Sequence, residues 1–203
     1  MKKILLTGFE PFLDYKINPT MEVVQKLNGR VMNDWTVESF VLPVDFHESE
    51  KQIFEKIKEV QPEIVVSLGL AAGRYKVTPE RIAINIKDGA KDNRGFAPLD
   101  QAIDVNGPDG YFSTLPIRKI TNHLQELGFP ADISNSAGTY LCNNIMYSVL
   151  HYVQNEKLNC KAGFIHIPAS HELAIQHGNI PGWSISDLTK AIEASLDVIT
   201  LEG

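Results

Sequence analysis

The sequence lacks the marks of several common protein classes. Only two of its 203 residues are cysteines, whereas small secreted folds held by disulfides carry more cysteines in a shorter chain. It has no run of about 20 apolar residues, the length that a bilayer requires, and Glu10 and Asp14 interrupt the first apolar segment. The net charge is -6, whereas a nucleic-acid-binding domain usually carries a basic stripe. We therefore expect a cytoplasmic protein that binds neither membranes nor nucleic acids.

What the sequence does contain is an alternation of apolar strands and amphipathic helices. The pattern predicts strands at Lys3–Phe9, Thr36–Val44, Glu63–Leu70, Arg81–Ile86, Ala131–Ser136 and Lys161–Ile167. It predicts helices at Pro19–Leu27, Ser49–Val60, Pro116–Leu127, Tyr140–Asn155 and Ser186–Ile199, with loops at Lys87–Pro108 and His171–Trp183. This alternation indicates an α/β fold, a single domain over residues 1–203. We expect a three-layer α/β/α sandwich around a central mixed, largely parallel twisted sheet.

Cys142 is the strongest candidate for a nucleophile. It follows a break at Gly138 and Thr139 and opens a segment with helical spacing. The unpaired N–H groups and the dipole at a helix N-terminus stabilise a thiolate, which is the nucleophilic form. The other cysteine, Cys160, lies in a polar run without an activating feature. Because a lone cysteine is more often buried and inert, the interpretation depends on partner residues.

Two such partners occur at the ends of neighbouring predicted strands. His166 lies near the carboxyl end of the last strand, where sites form in parallel sheets. A Cys–His pair needs a third group to orient the imidazole, and Glu80 is the best placed carboxylate. A histidine in an apolar strand is more often structural, and Glu80 could equally be the exposed acid of a turn. His171 and His177 remain weaker alternatives for the base.

Phe9 and Phe12 follow the first strand and could form the flat apolar wall of a pocket. Core packing is the more usual fate of such phenylalanines, but their place beside a glycine and a proline indicates a loop. The glycines from Gly69 to Gly73 do not form a phosphate-binding loop, because they lack both the GxGxxG spacing and a following Lys-Ser/Thr.

Taken together, these residues resemble the pyroglutamyl-peptidase I family of cysteine peptidases. The resemblance runs through nearly the whole chain, and its four motifs occur in the family's order. They are Thr7–Phe12 followed by Asn18-Pro19, Gly73-Arg74 with Val77–Asn85, Ser136–Asn143, and Phe164–Pro168.

The resemblance implies a cysteine exopeptidase that removes an N-terminal pyroglutamyl residue from peptides through a thioacyl intermediate. Carried over position by position, the triad is Glu80, Cys142 and His166. The substrate-binding residues that we expect are Phe9, Phe12, Leu70, Tyr140 and Leu141. No metal or cofactor is implied, and a homotetramer or homodimer is expected.

Three segments depart from the family's pattern. Ala71–Arg74 stands where the family usually has Ala-Gly-Gly-Arg, and Gly89–Asn93 is shorter than the usual Ala-Arg-x-Pro-Asp-Asn run. The residues after Pro168 lack the usual proline and glutamine. Two alternatives therefore stay open: a related cysteine amidohydrolase with a different cyclic-amide or acyl substrate, and a non-catalytic pyrrolidone-binding homologue. A nucleoside-phosphorylase-like activity is a remoter third, with Arg74 and Arg81 as its candidate phosphate ligands.

Overall fold

A curled, mixed β-sheet lies at the centre of the computed structural model, which describes residues 1–201. Its described strands are β1 (Lys2–Phe9), β2 (Val31–Met32), β3 (Trp35–Leu42), β4 (Ile64–Leu70), β5 (Thr78–Pro79), β6 (Ile82–Ile84), β7 (Gly110–Phe112), β8 (Lys161–Ile167), β9 (Ala169–Ser170) and β10 (Gly182–Trp183). The central sheet has the order β2-β3-β1-β4-β8-β5. Strands β3, β1, β4 and β8 are parallel, and the edge strands β2 and β5 are antiparallel to their neighbours. The predicted mixed, largely parallel sheet is confirmed.

Helices cover both faces of this sheet. They are α1 (Pro19–Leu27), α2 (Phe46–Val60), α3 (Ile117–Glu126), α4 (Leu141–Asn155), α5 (His171–His177) and α6 (Ile185–Leu201). Apolar side chains of α1, α3 and α6 form the core on one face, and those of α2 and α4 form the core on the other. None of the helices within residues 1–201 is long and apolar enough to cross a membrane. The predicted domain extends to residue 203, and its last two residues lie outside the described part.

Capping side chains explain where two of the helices begin. The Asn18 side chain accepts a hydrogen bond from the Thr20 N–H and caps α1. Pro19 occupies its first turn, where the predicted helix begins. Asp45 caps α2 by accepting from the N–H groups of His47 and Glu48. It therefore starts α2 three residues before the predicted Ser49, because the cap satisfies N–H groups that would otherwise lack partners.

Three predicted elements differ from the structure. The segment Ala131–Ser136 is not a strand of the sheet and pairs with its neighbours only through two isolated bridges. The predicted strand Arg81–Ile86 is short and pairs with β7 outside the central sheet. The predicted loop His171–Trp183 contains α5, because Ser170 caps it and Gly178 ends it with a left-handed backbone (φ 76°). The irregular character predicted for Lys87–Pro108 is confirmed.

Candidate active site

Cys142 lies in the first turn of α4, directly above the central sheet. The residue before the helix, Tyr140, makes no side-chain capping hydrogen bond, so the first N–H groups of α4 are open to a ligand. The thiol is half-buried. It approaches the sheet closely at Gly69: a Cβ atom built there would lie 2.9 Å from Cys142 Sγ and 2.6 Å from the Phe164 ring. A glycine at this point of β4 therefore gives the thiol its space.

His166 and Glu80 meet at the same edge of the sheet. Gly69 pairs with His166 across β4 and β8, so the imidazole projects beside the strand that Cys142 approaches. Thr78 pairs with His166 on its other side, and the Glu80 N–H donates to the Phe164 carbonyl at 2.9 Å. This pairing brings Glu80 Oε1 to 2.7 Å from His166 Nδ1. Glu80 is fully buried and His166 is 5% exposed.

The charges of this pair support each other. Burial by itself lowers the pKa of His166, but Cys142 and Glu80 together raise it to about 9. Burial by itself raises the pKa of Glu80, yet hydrogen bonds and charge from His166, with contributions from Ser134 and Arg74, bring it below its ordinary value. At neutral pH the site therefore holds an imidazolium against a carboxylate, with the thiol of Cys142 as the imidazolium's other neighbour.

A small apolar pocket, with a cavity volume of about 20 Å³, opens beside Cys142. The ring of Phe9 packs on that of Phe164 with a centroid distance of 6.4 Å, and Phe12 stacks with Tyr140 at 6.4 Å. The lining residues are Phe9, Phe12, Asn18, Val44, Tyr140, Leu141 and Cys142.

The structure places four of the five predicted substrate-binding residues around this pocket. Phe9 is 4% exposed and belongs to the core as well as to the pocket wall. Leu70 is the exception: the described lining does not include it, and it clusters with Ala169 and Leu173 in a group against which Phe12 packs. Leu70 is therefore linked to the pocket only through Phe12, which packs against this cluster.

The segment Gly89–Asn93, which departs from the family's pattern, forms hydrogen bonds to the pocket wall. The side chain of Asn93 donates to Glu10 Oε1 and to the Pro11 carbonyl, both at 3.0 Å, between the two phenylalanines of the pocket. The Tyr140 hydroxyl donates to the Lys91 carbonyl at 3.2 Å. Changes in this loop can therefore change the shape of the pocket.

Sequence reasoning missed three residues of the site. Asn18 was named only as part of the N-terminal family motif, and Val44 lies just beyond the end of β3. Arg74 was predicted as part of a family motif and as a candidate phosphate ligand, not as a partner of Glu80, yet its Nη1 donates to Glu80 Oε1 at 2.8 Å. Its position in a Gly-Arg pair shortly after a buried strand was the available signal. Of the alternative bases, His177 packs on Tyr15, with a centroid distance of 4.6 Å.

Comparison with known proteins shows which family the chain belongs to. The model of the pyroglutamyl peptidase family matches residues 2–202. The chain belongs to the pyroglutamyl peptidase family. Among its relatives, the pyrrolidone-carboxylate peptidase of Lysinibacillus sphaericus is 57% identical over 100% of this chain and 99% of its own. That of Oceanobacillus iheyensis is 56% identical over 95% and 96% of the two chains.

Solved structures of the family have the same fold. A variant of the pyrrolidone carboxyl peptidase from Pyrococcus furiosus is 40% identical and covers 98% of this chain and 99% of its own, with a TM-score of 0.95. The pyroglutamyl peptidase I of Bacillus amyloliquefaciens is 35% identical and covers 99% and 98% of the two chains, with a TM-score of 0.95. The resemblance found in the sequence and the predicted fold class are thus both confirmed.

Proposed function

We propose that this peptidase removes an N-terminal pyroglutamyl residue from peptides, with Cys142 as the nucleophile. The observation that carries the proposal is the hydrogen-bonded Glu80–His166 pair beside Cys142, at the mouth of an apolar pocket. The names of the relatives, pyrrolidone-carboxylate peptidases, support the substrate class. The fold accounts for the arrangement, since α4 and the ends of β4, β5 and β8 bring the three side chains together.

Acylation follows from the charges of the site. The Cys142 thiolate, paired with the His166 imidazolium, attacks the pyroglutamyl carbonyl. The C–N bond to the next residue then breaks, and His166 gives its proton to the leaving amine. Glu80 holds Nδ1 of the imidazole, fixes its tautomer and stabilises the imidazolium, without itself transferring the proton. The pKa of His166, raised to about 9, keeps this acid protonated at neutral pH.

The uncapped start of α4 supplies groups for the oxyanion. The N–H groups of Leu141 and Cys142 lie in the first turn, which has no side-chain cap, and the helix dipole favours negative charge there. The resulting thioester is hydrolysed by a water molecule from which neutral His166 takes a proton. No step requires a metal, and residues 1–201 contain no group of His, Cys, Asp and Glu side chains suited to hold one.

Selectivity for the lactam ring follows from the walls of the pocket. Phe9, Phe12, Tyr140 and Leu141 line the pocket with apolar surface, against which the flat faces of the lactam ring would pack. A residue with a free N-terminal ammonium should be rejected, because burying that charge without a partner costs several kcal/mol. Leu70 would act indirectly, by supporting Phe12 from behind.

A second candidate is a related cysteine amidohydrolase with another cyclic-amide or acyl substrate. The observation that favours it is the segment Lys87–Pro98, in which the run Gly89–Asn93 is shorter than the family's and which contacts the pocket wall through Asn93 and the Lys91 carbonyl. In this case the triad chemistry would be kept while the preferred acyl group differs.

Two matched substrates test the proposal: the aminomethylcoumarin amides of pyroglutamate and of proline. They have the same leaving group and five-membered rings of similar size, but proline has an ammonium where pyroglutamate has a neutral lactam. We expect turnover of the pyroglutamyl amide and no measurable turnover of the prolyl amide. A wild type that leaves both intact, while iodoacetamide still alkylates Cys142 rapidly, would support the second candidate instead.

A homotetramer or homodimer and a cytoplasmic location stay predictions. Light scattering on the purified protein measures the first, and cell fractionation measures the second.

A further inference from the structure

Arg74 binds the same carboxylate oxygen of buried Glu80 as His166 does. Its Nη1 donates to Glu80 Oε1 at 2.8 Å and to Thr78 Oγ1 at 2.7 Å, and its Nη2 reaches the Ser136 carbonyl at 3.4 Å. The oxygen that accepts from Arg74 is the one that accepts from His166 Nδ1. Glu80 Oε2 has no partner within hydrogen-bond distance among the described residues, although Ser134 lies close enough to help lower the pKa of Glu80. Two cations therefore share a single carboxylate oxygen.

The two cations differ in how long they stay charged. A guanidinium keeps its charge at every pH at which a protein is folded, whereas His166 loses its charge whenever it gives a proton away. Glu80 is fully buried, and a buried carboxylate without a partner is strongly disfavoured. Each time that His166 becomes neutral, Arg74 is the cation that remains on Glu80.

We propose that Arg74 is a positioning residue that stabilises ionised Glu80 at the moment when His166 protonates the leaving amine. This role rests on the proposed function, in which a C–N bond breaks, a C–S bond forms and the imidazolium proton goes to the leaving nitrogen. Without Arg74, the same transfer would leave Glu80 as a buried anion facing a neutral imidazole. Proton delivery should then become slower, although the thiolate and the pocket are unchanged.

The leaving group separates this role from a structural one. An amide nitrogen must receive a proton before it can leave, whereas p-nitrophenolate leaves an ester without one. We therefore compare kcat/KM, which covers the steps up to acylation, for the pyroglutamyl aminomethylcoumarin amide and the pyroglutamyl p-nitrophenyl ester. Arg74→Met should lower the value for the amide by about 10- to 100-fold, a part of what general acid catalysis contributes, and change that for the ester by less than about threefold.

Arg81 provides the matched control. It follows Glu80 directly, but its Nε donates to Asn135 Oδ1 at 2.7 Å, so Arg81→Met should leave both values near those of the wild type. Arg74→Lys keeps the charge and should recover much of the amide activity. If Arg74→Met does not fold, Arg74→Gln, which can donate a hydrogen bond but has no charge, should show the same selective loss.

An equal loss for the amide and the ester would overturn the assignment, because it would mean that Arg74 only shapes the pocket or the fold. Unchanged rates for both substrates in a folded Arg74 variant would overturn it as well. A wild type that hydrolyses neither substrate would instead refute the proposed function, and the Arg74 role with it.

Discussion

The two cysteines of this chain lie at opposite ends of the same strand and have different chemistry. Both side chains are half-buried. Cys160 immediately precedes β8, where burial and the charge of Glu63 raise its pKa to about 12. Cys142 lies near the other end of β8, beside His166 and at the start of α4. Exposure does not distinguish the two thiols, and the groups around them do.

The difference shows what the fold contributes to reactivity. Parallel strands bring their carboxyl ends to one edge, and there the helix N-terminus, the imidazole and Glu80 converge on one thiol. At the amino end of β8, Cys160 meets Glu63 and an apolar surround, and both disfavour its thiolate. If the position of Cys142 makes it reactive, loss of its neighbours should lower turnover, whereas changes at Cys160 should not.

Removal of the nucleophile should have the largest effect. Cys142→Ala should lower kcat by about 10³-fold or more, as expected when a nucleophile is lost. Cys160→Ala should keep near-normal activity, because its side chain lies far from the pocket, among Ile57, Lys58 and Tyr152. Turnover of the pyroglutamyl amide by both variants provides the measurement. An active Cys142→Ala would remove the distinction between the two cysteines.

Loss of the partners of Cys142 should come next. His166→Ala should lower kcat by about 10³-fold, and Glu80→Gln by a smaller factor of about 10². Because the three side chains act as a unit, the double variant should lose little more than His166→Ala alone. Steady-state kinetics of the two single variants and the double variant measure this. Losses that multiply would mean that Glu80 acts independently of His166.

Truncation of the pocket wall should have a moderate effect. Phe12→Ala should raise KM and weaken a pyrrolidone inhibitor by about 1–3 kcal/mol, the scale of a lost aromatic contact. Its thermal stability should fall only slightly, because Phe12 is part of the pocket wall and is only partly buried. Phe9→Ala is the matched comparison and should lose more stability, since Phe9 is 4% exposed. Normal kinetics and a large loss of stability in Phe12→Ala would show that the Phe12 ring is a core residue and not part of the pocket wall.

The pH dependence should show the smallest change. The pKa of His166 is raised to about 9 from its ordinary 6.5, so the acid for the leaving amine is lost as the pH rises through about 9, and kcat/KM for the amide should fall there. By linkage, the stability that this group contributes is fully present below about pH 6.5 and is lost as the pH rises through about 9. Glu80→Gln should move both transitions to lower pH, because the carboxylate that favours imidazolium is gone. If kcat/KM of Glu80→Gln falls at the same pH as that of the wild type, Glu80 does not influence the protonation of His166.

Local signals explain which parts of the fold could be predicted. The continuous apolar run of β4 and the Asn18-Pro19 start of α1 depend on nearby residues, and both were predicted. The segment Ala131–Ser136 was predicted as a strand, but tertiary contacts decide that it pairs only through single bridges with Val77 and Glu80, the residues on either side of β5. The helix α5 was missed although its two caps, Ser170 and Gly178, were present, because its polar composition concealed them.

In the candidate site, too, some residues could be predicted from local sequence and others could not. Cys142 and His166 were predicted from local signals, the start of a helix and the end of a strand. Local sequence left Glu80 equal between the acid of a turn and a site residue, and the family resemblance decided for the site. The contact of Arg74 with Glu80 depends on the turn between β4 and β5, where the Arg74 N–H donates to the Ala71 carbonyl at 2.8 Å. The need for glycine at Gly69 depends on a thiol that is 73 positions away in the chain. Neither contact has a signature within a short window of sequence.

The most direct test of the account is competitive alkylation of the two cysteines in the native protein. Limiting iodoacetamide is added at neutral pH, and the modified peptides are quantified by mass spectrometry while residual turnover of the pyroglutamyl amide is followed. Cys142 should be labelled at least about tenfold faster than Cys160, because thiolates react and thiols do not, and activity should fall in step with its modification. Equal labelling of the two, or full activity after Cys142 is modified, would contradict the account.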